Sequence, residues 1–134
     1  MKRLLAVGLV LISAVILFHT NASKPSKKPM VEVFYFHFTH RCVTCQAVEN
    51  ETLKSLPALY PHLYKTGKIT FTSVNLDEDT SKTLAEKCKA EGQSLLIISN
   101  NKRIDLTDKA FMYAKNDPDK LKAEIKKTID SLIK

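Results

Sequence analysis

Residues 31–46 constrain this chain more than any other stretch. An apolar, aromatic run at 31–38 passes through the short polar turn Thr39, His40, Arg41 and opens a helical pattern with two cysteines, Cys42 and Cys45. The run alternates too little for a strand with one wet face, so it predicts a central strand covered on both sides. The chemistry at its end follows from position. The free N–H groups and dipole at a helix start favour negative charge, and thiolate is the reactive form of cysteine. Cys42 is therefore the candidate nucleophile. His40 and Arg41 beside it are candidates for lowering its pKa by charge. The i, i+3 spacing sets Cys45 on the same helix face one turn deeper, where it can attack a mixed disulfide formed at Cys42.

The N-terminus bears on redox compartment. Met1, Lys2 and Arg3 form a short positive leader, and residues 4–18 are apolar apart from Gly8 and Ser13. With Thr20 and Ala22 following, residues 1–22 show the three-part pattern of a secretory signal cleaved after Ala22. The apolar run, about 15 residues, is short of the ~20 that span a bilayer, and the alternative is an uncleaved membrane anchor. Either way the expected location is extracytoplasmic, periplasmic or secreted, where disulfides persist. Residues 23–29 read as a polar, proline-containing tether, leaving one domain over 30–134. Asn21–Ala22–Ser23 and Asn50–Glu51–Thr52 match the glycosylation pattern; one lies at the cleavage site and the other on an expected helix, so both are taken as chance matches.

Along that domain, helical spacing runs from Cys42 to about Leu56, with Pro57 and Pro61 expected to end or kink it. A second apolar piece over 59–64 stops at Gly67, a C′ glycine. Residues 68–76 alternate as a strand. Asp77 to Thr80 start a helix over 81–91, ended by Gly92. Residues 94–99 form a short buried strand, Asn100–Asn101 a turn, and 102–106 the returning strand of a hairpin. Asp117 and Pro118 start a last helix striped by Leu121, Ile125, Ile129 and Leu132. The order is β-α-β-α-β-β-α, an α/β fold with a mixed central sheet flanked by helices: a parallel pair from the helix-separated strands and an antiparallel edge from the hairpin. The formal net charge is +7, from 21 Lys+Arg against 14 Asp+Glu. The excess alternates with acids along helices, which describes a solvated surface and not a nucleic-acid stripe. With only three glycines, no Gly-rich phosphate loop is present.

Over residues 30–134 the chain resembles the thioredoxin superfamily. The likeness rests on the aromatic strand, on Cys42–Val43–Thr44–Cys45 opening a helix, on Val74–Asn75–Leu76–Asp77 as the second sheet segment, and on Leu84 to Cys88 as the following helix. The resemblance implies a thioredoxin-like fold and thiol–disulfide exchange. The active pair would be Cys42 and Cys45, with no cofactor beyond their redox-active disulfide. Partners would be protein disulfides or dithiols and a protein that recycles the pair. The chain departs from the family at four places. Arg41 stands where classical thioredoxins carry Trp. Val43 and Thr44 replace Gly-Pro. Phe36 takes the place of a buried Asp. Ser94, after Gln93, takes the place of a cis-proline, and a cis bond before a non-proline costs about 2.5–4 kcal/mol, so a trans bond is expected. A specialised exported member fits better than a housekeeping thioredoxin. Gln93 and Ser94 are then the candidate substrate groove, the alternative being a plain strand entry.

Two other readings of the same residues exist. His37, His40, Cys42 and Cys45 could gather copper or zinc, making the protein a metal-handling module; otherwise His37 packs in the sheet and His40 is a solvated turn residue. The domain could also be a redox-inert binding module. Cys88 is either a small core hydrophobe or a third redox thiol.

Overall fold

The computed structural model describes residues 28–134. The expected leader or anchor at 1–22, and the tether up to residue 27, lie outside the described residues. Strand β1 (Val31–His37) leads through a turn to helix α1 (Val43–Leu59), a short helix α2 (Pro61–Lys65) and strand β2 (Ile69–Asn75). A 3₁₀ turn (Asp79–Ser81) precedes α3 (Lys82–Cys88); the hairpin β3 (Ser94–Ser99) and β4 (Lys102–Asp105), then α4 (Thr107–Tyr113) and α5 (Pro118–Leu132), complete the chain. The sheet order is β2-β1-β3-β4, with β1 parallel to β2 and antiparallel to β3. β1 is thus central, as its mostly apolar, weakly alternating sequence predicts. Val33 and Tyr35 face a core built with α1, α4 and α5, while Phe34 and Phe36 face a smaller one closed by α3.

Several boundaries differ from the expectation, each for a local reason. Pro57 neither ends nor breaks α1: it is exposed, and the helix runs on until the Tyr60 N–H bonds to the Leu56 carbonyl. Gly67 does terminate α2. With φ +69° it lets its own N–H reach the Tyr64 carbonyl and that of Lys68 reach Leu63, a full Schellman motif. α3 ends earlier than Gly92, because Lys89 itself adopts the left-handed conformation, φ 55°. Helix α4 is absent from the expected order. Its start is capped indirectly, by an Asp105 carboxylate that accepts the Thr107 N–H at 2.9 Å, so the cap sits at the end of a strand. Asn100, φ 51°, makes the hairpin turn.

Candidate active site: a dithiol at the start of α1

The sheet fixes the site. β1 ends at His37, and five residues later the chain enters α1, so Cys42 lies above the C-terminal edge of β1 beside the N-terminal end of β3. Cys42 is the N-cap of α1: its Sγ accepts the Cys45 N–H at 3.1 Å. Cys42 and Cys45 are disulfide-bonded, with Cα atoms 5.1 Å apart. Their exposure differs sharply, Cys42 being exposed and Cys45 only 3% exposed. An outside sulfur can reach the first and not the second. A thiolate at Cys42 would receive a backbone N–H and the positive end of a 17-residue helix.

The expected neighbours fall into place unevenly. Arg41 is beside Cys42, but its guanidinium is ion-paired with Glu49 on α1, so its charge is answered by a carboxylate. His40 is exposed and faces Asp77, whose carboxylate accepts the Thr39 N–H at 2.7 Å; that bond first, then His40 and His37, holds Asp77 below the usual carboxylate range. His37 is packed in the sheet, 8% exposed, its Nδ1 2.9 Å from the Phe38 carbonyl and its ring 5.7 Å from that of Tyr35. The four residues of the metal reading are not gathered: among the described residues no three His, Cys, Asp or Glu side chains are grouped to hold an ion. The Gln93–Ser94 bond is trans. The Gln93 amide oxygen lies 3.4 Å from Cys45 Sγ, where it would accept the S–H of the reduced thiol. Ser94 is buried and its hydroxyl donates to the Gly92 carbonyl at 3.0 Å. Both residues line a polar cleft of about 690 Å³ that also takes in Asp105, Thr107 and Asp108.

Two further residues sit under the dithiol. Tyr35 donates its hydroxyl to the Cys45 carbonyl at 2.8 Å, and burial pushes its pKa up to about 12. Glu49 is partly buried, which pushes its carboxyl up, but the Ser73 hydroxyl and Arg41 outweigh burial and the group titrates below its ordinary range. Phe36, at the place of the family's buried Asp, is fully buried. Glu49 is a partly buried carboxylate on the dithiol's own helix. It was findable: it lies four residues after Cys45, on the same helix face.

No protein-family model and no curated protein sequence matches the chain. The solved structures similar to it include two of note. One is a malarial protein, 22% identical over 73% of this chain and 96% of its own, with a TM-score of 0.46. The other is mitochondrial thioredoxin 3 from Saccharomyces cerevisiae in its oxidised form, 21% identical over 75% of this chain and 81% of its own, with a TM-score of 0.48. At those scores neither likeness carries weight. The strand order and the dithiol at the head of α1 do. The fold is thioredoxin-like. A thioredoxin-like sheet with a disulfide-bonded C-x-x-C pair at that helix start suggests a redox function.

Proposed function

We propose that the protein is an exported thiol–disulfide oxidoreductase acting on partner-protein disulfides through Cys42 and Cys45. The observation that carries this is the pair's asymmetry: an exposed sulfur that receives a helix N-terminal N–H, joined to a buried one. In the reducing direction the Cys42 thiolate attacks one sulfur of the partner's disulfide, and the other sulfur leaves as thiolate and takes a proton. Cys45 then loses its proton and attacks Cys42 Sγ. The mixed disulfide breaks, the partner leaves with its second thiol, and Cys42–Cys45 closes. Two electrons have passed to the partner, and a separate dithiol protein must return the pair to the reduced state. Run backwards, the same cycle oxidises a partner. Gln93, by accepting the Cys45 S–H, would keep the second thiol neutral until the first step is complete.

The leader at 1–22 supports export, by cleavage or as an anchor. The experiment is equilibration of the full chain in graded thiol/disulfide buffers with alkylated cysteines counted by mass. A two-electron transition between about −270 mV, reductant-like, and about −120 mV, oxidant-like, is expected. A pair that neither opens nor closes in that range overturns the reading and leaves a redox-inert binding module.

A further inference from the structure

The end of the molecule opposite the dithiol has a chemistry of its own. β1 is seven residues long, so its two ends stand about 20 Å apart. At the His37 end lie the dithiol and most of the loop acids: Asp77, Glu78 and Asp79 after β2, and Asp117 and Asp119 at the start of α5. At the Val31 end the chain enters from Lys28, β3 turns into β4, and α5 finishes.

Two clefts open side by side there and share Asn100. One, of about 390 Å³, is lined by Lys28 and Lys134; the other, of about 210 Å³, by Lys87, Lys89, Lys102 and Arg103. No acidic side chain lines either cleft. The four lysines other than Lys89 are exposed, as is Lys89 itself. Arg103 is committed to the Cys88 and Lys89 carbonyls, at 2.9 and 3.1 Å, and to Asp105. Of the acids near this end, Asp130 is bound by Lys126 and the Tyr60 hydroxyl and also feels the Lys134 charge, and Glu32 lies close enough to Cys88 to raise its pKa. Among the described residues none of Lys28, Lys87, Lys89, Lys102 and Lys134 is held in an ion pair, and Lys68, whose carbonyl receives the Met30 and Val31 N–H groups, adds to them.

What continues from this end identifies the partner. Lys28 follows Lys24 and Lys27 of the tether, and upstream lies the apolar run 4–18. Seven tether residues reach at most about 25 Å when extended. We propose that this lysine-rich end is a docking surface for an anionic lipid bilayer, holding the domain with its dithiol pointing away from the membrane. The attractions of the lysines to such a surface add up to hold the domain there, and salt screens them. The surface acts whether residues 1–22 are kept as an anchor or removed, and it is separate from the redox reading, which solution assays test alone.

The test is amine-reactive footprinting of the full-length chain on phosphatidylcholine vesicles with and without phosphatidylglycerol. Phosphatidylglycerol should lower labelling of Lys28, Lys102 and Lys134 by about fivefold, the factor matching one lysine's attraction to an anionic surface. High salt should restore it, and Lys82, at the other end, should not change. The exposed pair Lys102→Glu/Lys134→Glu should lose most of the protection at Lys28 while keeping its circular dichroism. Equal labelling on both vesicles overturns the proposal, as does unchanged protection in that variant. Equal protection of the same lysines by soluble polyglutamate or RNA overturns the lipid assignment and leaves a general anion surface.

Discussion

Cys42 and Cys88 occupy opposite ends of two helices, and the difference separates an exposed sulfur from a packed one. Cys42 caps the N-terminus of α1, exposed, with a backbone N–H on its sulfur. Cys88 closes the C-terminus of α3, 4% exposed, where burial first and then Glu32 push its pKa up, Lys87 and Arg103 pulling the other way only in part. Cys42 sits at the positive end of its helix dipole and Cys88 at the negative end of its own. Of the two readings for Cys88, the structure agrees with the core hydrophobe: it packs among Phe34, Phe36, Val74 and Leu96. The same atom type is placed for chemistry or for packing by helix polarity and burial alone.

The largest effect should come from removing the reactive member. Cys42→Ser should take the disulfide-reduction rate with an insulin-type substrate to the uncatalysed level; retained activity would mean that Cys45 or Cys88 is the nucleophile. Cys45→Ser leaves the first step intact and removes the second, so the variant should accumulate as a mixed disulfide with its partner, visible on a non-reducing gel and absent when Cys42 is also changed.

A smaller effect tests how much Arg41 sharpens the contrast. Glu49→Gln should release the Arg41 charge toward Cys42 and raise its alkylation rate near pH 6 by about two- to threefold, because a nearby cation favours thiolate. The same variant reports on stability. Glu49 has a folded pKa below its unfolded one, so its contribution is present above the unfolded value, about 4.3, and is lost as pH falls through the folded value. Urea midpoints should therefore show a cost of about 1 kcal/mol at pH 7, already discounted for solvent at this partly buried pair, and a flatter decline on acidification than wild type. Unaltered pH dependence would mean the Arg41–Glu49 pair contributes nothing. The smallest effect on activity belongs to Cys88→Ala: exchange unchanged, stability lower by about 1–2 kcal/mol from the vacated sulfur site. A fall in exchange rate would make Cys88 the third redox thiol.

Sequence showed the fold where pattern and burial coincide. β1, β3 and α5 carry unbroken or evenly striped apolar residues, and their limits follow. α4 was invisible because a seven-residue helix has little periodicity and its capping carboxylate belongs to β4. The early end of α3 was equally hidden, since a lysine and not a glycine takes the left-handed position. At the site, Cys42 and Cys45 were legible from spacing. The Arg41–Glu49 pair and the Gln93–Cys45 contact were not, because both join residues whose side-chain directions depend on packing. The same holds for the metal set, whose members are close in sequence but diverge once His37 is locked into the strand.

The sulfur at Cys42 has two duties, and they coexist. As the N-cap of α1 it accepts the Cys45 N–H while it is already bonded to Cys45 Sγ. A sulfur keeps lone pairs after it has joined another sulfur, so in the proposed exchange the cap can stay closed while the disulfide opens and closes. Cap and proposed trigger are one atom, and the helix start that would favour the thiolate is held by the same sulfur in the oxidised pair.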